Sequence, residues 1–125
     1  MEPRPPRILV VDDEPAVRCS LRWQLEGAGY EVVEAPDGRD VVETVARERI
    51  ALVVTDIVMP NREGLETIQD LRRRFPDVPV IAISARSAEY LHAAEVFGAC
   101  RTFSKPFESA VFVATVGQVL AAPRS

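Results

Sequence analysis

The chain has little of what would mark it for export, a membrane or a structural metal. Its two cysteines, Cys19 and Cys100, lie far apart without metal-ligand spacing and fit reduced thiols. No apolar run approaches the roughly 20 residues a membrane span requires. The opening Met1-Glu2-Pro3-Arg4-Pro5-Pro6-Arg7 has no apolar h-region, so a secretory leader is not expected. A basic footprint is also missing. With 15 Lys and Arg against 19 Asp and Glu, the net charge is -4, which argues against nucleic-acid binding. There is no internal repeat, and no biased tract beyond the Pro-rich lead. The expectation is a cytoplasmic domain with no membrane and no nucleic-acid partner. At 125 residues it has room for one core.

What the chain does have is regular alternation. Of its residues, 47% are hydrophobic and 27% charged, ordinary values for a globular protein. Strands are predicted at 8–11, 30–34, 51–55, 78–83 and 101–104, with the continuous apolar runs at 8–11 and 51–54. Helices are expected between and after them. The first opens at Pro15, carries Val17, Leu21, Leu25 and Ala28 on one face, and ends at Gly27 and Gly29. The second covers 39–48 with Val41, Val42, Val45 and Ala46. The third covers 64–75, with Leu65, Ile68 and Leu71 inward and Arg72-Arg73-Arg74 at its C-terminal end, where cations suit the dipole. The last two cover 88–97 and 109–121. Five β-then-α units predict an α/β fold, a parallel sheet with helices on both faces. The organisation expected is a lead at 1–6, a domain at 7–121 and a tail at 122–125.

In such a sheet all strand C-termini lie at one edge, where ligands bind. Asp12, Asp13, Asp56, Ser84 and Lys105 each fall at or just past one of those ends. A single Asp there is ordinarily a turn residue or a helix cap. Coincidence across four strand ends reverses that judgement. Clustered carboxylates repel unless a cation neutralises them, and Mg²⁺, which takes hard oxygen ligands, is the natural choice. A carboxylate beside Mg²⁺ and an ammonium can attack a phosphoryl group and form an acyl phosphate. Lys105 would then pair with the phosphoryl oxygens, and the Ser84 hydroxyl could donate to one of them.

Four stretches carry a family likeness: Ile8-Leu9-Val10-Val11-Asp12-Asp13-Glu14-Pro15; Thr55-Asp56-Ile57-Val58-Met59-Pro60 through Glu63-Gly64; Ile83-Ser84-Ala85; and Lys105-Pro106-Phe107. From Arg7 to Leu120 the chain resembles the receiver domains of two-component response regulators. The resemblance implies a flavodoxin-like doubly wound (βα)5 fold with strand order 2-1-3-4-5. It implies that Asp56 is the phosphoacceptor, served by a sensor histidine kinase or histidine phosphotransfer protein. Asp13, Asp56 and the Val58 backbone carbonyl would ligate Mg²⁺, with Asp12 acting through water. Ser84 matches the hydroxyl switch residue and Lys105 the site lysine. A cis bond before Pro106 would fix the loop presenting that lysine.

The chain departs from the family pattern in places. Thr102 stands where many members have an aromatic switch residue, and Phe103 cannot replace it, since adjacent strand residues point to opposite faces. Val58 and Arg86 occupy tuning positions, and their types suggest slow hydrolysis of the acyl phosphate. The last helix lacks charge from Ser109 to Ala122 while Val111, Phe112, Val113, Val116, Val119 and Leu120 encircle it. The excess apolar surface, including Val111 and Val113, is read as a partner or homodimer face. Trp23, off the inward stripe of the first helix, is either a half-exposed aromatic or a kinase contact. His92, the only histidine, is expected on a helix surface.

The leading reading is a stand-alone receiver that signals to an unidentified downstream protein by docking. It catalyses its own phosphorylation and dephosphorylation without being a turnover enzyme. Two alternatives remain. One is a small Mg²⁺-dependent phosphatase with an aspartyl nucleophile, for which the Asp12-Asp13 doublet lacks the expected spacing. The other is a degenerate receiver that binds partners without phosphorylation.

Overall fold

A computed structural model of the chain describes residues 4–57, 64–85 and 88–122. Strands β1 (Arg7–Val11), β2 (Glu31–Ala35), β3 (Leu52–Asp56), β4 (Val80–Ser84) and β5 (Arg101–Ser104) alternate with five helices. The helices are α1 (Pro15–Gly27), α2 (Val41–Glu48), α3 (Gly64–Arg74), α4 (Ala88–Phe97) and α5 (Ser109–Ala121). All strand pairs are parallel, and the order is β2-β1-β3-β4-β5, as the resemblance implies.

Strand periodicity divides the core in two. Leu9, Val11, Val53, Val80 and Ala82 pack under α2, α3 and α4, with Val41, Ile68, Leu71 and Ala94 facing them. Ile8, Val10, Leu52, Val54, Ile81 and Ile83 point the other way, onto Leu21 and Leu25 of α1 and Phe112 and Val116 of α5. Strands covered on both faces need apolar residues at every position, which is why β1, β3 and β4 read as unbroken runs.

Several boundaries differ from expectation, each for a local reason. β3 and β4 run one residue further than the apolar pattern, so Asp56 and Ser84 are their last residues. Asp56 is still paired in register with Ile83, and Ser84 with Ser104. β2 is shifted by one, to Glu31–Ala35. α2 begins at Val41 rather than at residue 39. Asp40 takes a left-handed conformation (φ 62°), which no α-helical residue can hold. Thr44, not Ala46, joins Val41 and Val45 on the buried face of α2. In α1 the inward stripe is Val17, Leu21 and Leu25. Ala28 has left it, because it caps the helix, and Gly29 makes the turn at φ 98°.

The uncharged α5 resolves into unequal faces. Phe112 and Val116 are fully buried, and Val113, Val119 and Leu120 pack against the same core. Val111 is the one large α5 hydrophobic that stands exposed, at 52%. Trp23 is 81% exposed, not half covered, because it lies off the stripe that Leu21 and Leu25 define. α4 also exposes Tyr90, Val96 and Phe97, which the sequence pattern did not single out. His92 is exposed, as expected, with Glu95 4.0 Å from its ring. No described helix is long and apolar enough to cross a membrane.

Candidate functional site: an acidic cluster with one lysine

The topology delivers four strand ends to one edge. β1 hands over to Asp12, fully buried, and Asp13, exposed. β3 ends in Asp56, 7% exposed, and β4 in the buried Ser84. β5 leads to Lys105, whose peptide bond to Pro106 is cis, as expected. Carboxylate oxygens of Asp12, Asp13 and Asp56 lie within 4.8 Å of one another. The Lys105 Nζ reaches between two of them, 2.9 Å from Asp12 Oδ2 and 2.9 Å from Asp56 Oδ2. It is the chain's only lysine; every other fixed cation is an arginine. A compact ammonium on a long stem suits a point contact between two carboxylates, where a planar guanidinium would demand a fork.

Backbone hydrogen bonds lock these ends. The Asp12 N–H donates to the Ala35 carbonyl at 3.1 Å, and Asp12 Oδ1 accepts from the Glu14 N–H at 3.0 Å. The Ile57 N–H donates to Ile83, and the Lys105 N–H to the Ser84 carbonyl at 2.8 Å. The second of these ties the lysine's own backbone to the strand that carries the hydroxyl. Thr55 Oγ1 donates to the Asp56 carbonyl at 2.9 Å.

Gly64 completes the frame. A Cβ there would overlap the Asp56 carbonyl oxygen and the Ile57 Cα, both backbone atoms that cannot swing away. The Gly64 N–H also donates to the Ile57 carbonyl at 3.1 Å, so α3 is pressed directly onto the end of β3. Gly64→Ala should therefore cost about 1–3 kcal/mol, the range for forced overpacking. A urea titration beside wild type measures it, and an unchanged midpoint would show that this contact is not tight.

The electrostatics follow from the geometry. Burial pulls the Lys105 ammonium down, but hydrogen bonds to Asp12 and Asp56 and the charges of both more than offset it. Its pKa ends above the ordinary lysine value. One ammonium against three carboxylates leaves a negative excess in a partly buried crevice. Such an excess favours a divalent cation with hard oxygen ligands. The residues present therefore fit Mg²⁺: three carboxylate donors converge, and the donor set is oxygen only.

A family model described as the response regulator receiver domain matches residues 8–117. The chain belongs to that family. Among curated relatives, the receiver is 45% identical over 84 residues to the response regulator MprA of Mycolicibacterium vanbaalenii, covering 67% of this chain and 36% of that protein. It is 39% identical over 115 residues to MprA of Mycobacterium leprae, covering 91% of this chain and 50% of that protein. The chain thus spans half the length or less of these relatives. Among solved structures, a CheY-like receiver from Methanospirillum hungatei superposes with a TM-score of 0.87 at 27% identity, covering 93% of this chain and 94% of that one. The response regulator TrrA of Thermotoga maritima, in complex with Mg(2+)-BeF, superposes at 0.83 with 31% identity, covering 91% and 98%.

The receiver brings together Asp12, Asp13, Asp56 and Lys105, with Ser84 at the end of the neighbouring strand. Val58 and Arg86 lie outside the described residues. Thr102 pairs in register with Ala82 and so lies on the α4 side of the sheet. Phe103 pairs with Ile83 and lies on the opposite side, where it meets Phe107 and Phe112 at centroid distances of 5.2 and 5.5 Å. Sequence reasoning missed two contributors near the site. Gly64 appeared only as part of a motif and as the start of a helix, and a glycine opening the helix that follows a strand-end acid hints at close backbone approach. Arg18, whose Nη1 donates to the Asp12 carbonyl at 2.7 Å, carried no local sign of that contact.

Proposed function

We propose that Asp56 accepts a phosphoryl group from the phosphohistidine of a sensor histidine kinase or histidine phosphotransfer protein. An Asp56 carboxylate oxygen attacks phosphorus; the nitrogen–phosphorus bond breaks, and the imidazole leaves with its electron pair. The new bond is the O–P bond of an acyl phosphate. Mg²⁺, when bound, would supply charge neutralisation for the phosphoryl oxygens. Asp12, Asp13 and Asp56 would hold it, with the Val58 carbonyl as a further donor. Lys105 already touches Asp56, so it is placed to pair with the phosphoryl group as charge builds there, and the Ser84 hydroxyl would donate to another of its oxygens.

The observation that carries this reading is the placement of Lys105 Nζ, 2.9 Å from both Asp12 and Asp56, within a three-carboxylate cluster. The receiver family is a signalling module and not a turnover enzyme, so output is assigned to altered docking on a downstream protein. Trp23, on a face of α1 shared with Ala16, Cys19 and Ser20, is the proposed kinase contact. Support for self-association through α5 narrows to Val111, since Val113 packs on the core. Thr102, lacking a ring, is proposed not to act as an aromatic switch.

Incubation with a small acyl phosphate, with and without Mg²⁺, tests the reading by intact mass. The expected result is one phosphoryl group per chain, formed only with Mg²⁺. Steady release of inorganic phosphate without a labelled species would favour the phosphatase reading. No labelling, with partner binding unaffected, would favour the degenerate receiver.

A further inference from the structure

Asp12 is anchored at its amide, at both carboxylate oxygens and, unlike a simple strand-end acid, at its carbonyl. That carbonyl accepts the 2.7 Å hydrogen bond from Arg18 Nη1. It belongs to the peptide plane that carries the Asp13 nitrogen, so fixing it fixes the direction from which Asp13 projects. Asp13 itself has no hydrogen-bond or ion-pair partner among the described residues. Its aim at the cluster therefore depends on its backbone.

Arg18 is held in turn. Its Nε donates to Glu34 Oε1 at 3.1 Å, while the other Glu34 oxygen accepts from Arg22 Nη1 at 2.6 Å. Arg22, one turn further along α1, also reaches Glu26 at 3.1 Å. Glu34 immediately precedes Ala35, the residue whose carbonyl takes the Asp12 N–H. The connections close a ring: Asp12 to Ala35, Glu34, Arg18 and back to Asp12. Both Arg18 (17% exposed) and Glu34 (26%) are largely covered, so this is not a freely solvated surface pair. Two arginines against two glutamates balance in charge. Arg18 thus supplies a strong hydrogen bond without adding net positive charge beside the acids.

We propose that Arg18 is a positioning residue for the divalent cation. Together with Glu34 and Arg22 it holds the Asp12–Asp13 peptide plane so that Asp13 is aimed at Asp12 and Asp56. The inference rests on the Mg²⁺ reading above. Residues that orient metal ligands without touching the metal commonly change affinity strongly when lost.

Calorimetric titration of the full chain with MgCl₂ alone tests it, for wild type, Arg18→Met, Arg18→Lys and Glu34→Gln. Each titration is run at a temperature where circular dichroism shows a folded protein. Arg18→Met should weaken Mg²⁺ binding about tenfold. Arg18→Lys should fall between it and wild type, because an ammonium cannot serve the carbonyl and Glu34 through one fork. Glu34→Gln should weaken binding to a smaller extent. Amide exchange at Asp13 and Glu14 in metal-free protein should accelerate in the same order. A merely structural staple between α1 and β2 would lower the unfolding midpoint and leave the Mg²⁺ constant unchanged, and that result would overturn the proposal. Failure of wild type to bind Mg²⁺ would overturn the metal reading as well, whereas binding by wild type and variants alike would sink the role of Arg18 alone. Should Arg18→Met not fold, Arg18→Lys and Glu34→Gln decide.

Discussion

Asp56→Asn should abolish phosphoryl uptake from a small acyl phosphate, with the labelled fraction falling to background at any Mg²⁺ concentration. The amide keeps the size and shape of the side chain but has no charged oxygen to attack phosphorus. Among the described residues, nothing nearby replaces it. Asp12 is fully buried, with both carboxylate oxygens engaged by the Glu14 N–H and Lys105. Asp13 lies in the loop beyond β1, not at the last position of a strand. Lys105 would keep its 2.9 Å contact with Asp12, so the fold should survive and the variant should unfold cooperatively. Intact mass with and without hydroxylamine, which cleaves acyl phosphates, makes the measurement. Hydroxylamine-sensitive label on Asp56→Asn would mean that another carboxylate is the acceptor, and the assignment of Asp56 would fall. The two remaining acids should still bind Mg²⁺, more weakly, which separates loss of the nucleophile from loss of the cation.

The acids and the lysine were legible because they obey one-dimensional rules. An apolar run ending in a charged residue locates a strand end, and parallel topology gathers such ends at one edge. Asp12, Asp13 and Asp56 follow from this directly, while Ser84, Lys105 and the strand order follow once the parallel topology and the family likeness are admitted. The misses have a common cause. Asp40 at φ 62° shortens α2; aspartate tolerates the left-handed region better than most residues, but adopts it too seldom for the sequence to announce it. The ring through Arg18 and Glu34 joins residues 16 apart through side-chain geometry, and no periodicity encodes it. Trp23 could be placed off the buried stripe but not measured, because exposure depends on what neighbouring elements fail to cover. The α5 pattern was ambiguous for the opposite reason: valines all round a helix give no amphipathic contrast, so only packing reveals which face is inward. Phe103 illustrates both limits. Its side of the sheet follows from strand alternation, whereas its ring partners, Phe107 and Phe112, come from a loop and a helix.

Those ring partners set the largest stability effect expected in the molecule. Phe112 is fully buried and packs its ring 5.5 Å from Phe103 in an edge-to-face arrangement and 5.2 Å from Phe107. Among the described residues it is the largest fully buried side chain and, with Val116, it fastens α5 to the sheet. Truncation removes the apolar burial and leaves a cavity walled by two aromatic rings and strands that cannot collapse. Phe112→Ala should cost about 3–5 kcal/mol. Against a domain stability of about 5–15 kcal/mol, that is a large share of the whole. Val111→Ser, one residue away on the same uncharged helix, should change stability by no more than about 0.5 kcal/mol, because Val111 already faces solvent. Urea unfolding of the two variants beside wild type makes the comparison. Similar losses for both would mean that α5 is buried on more than one side, as its composition alone suggested. Phe107 follows Lys105-Pro106 directly, so Phe112→Ala should also loosen the lysine. That consequence would appear as a drop in phosphoryl labelling by the Phe112 variant under conditions where it remains folded, with no such drop for Val111→Ser.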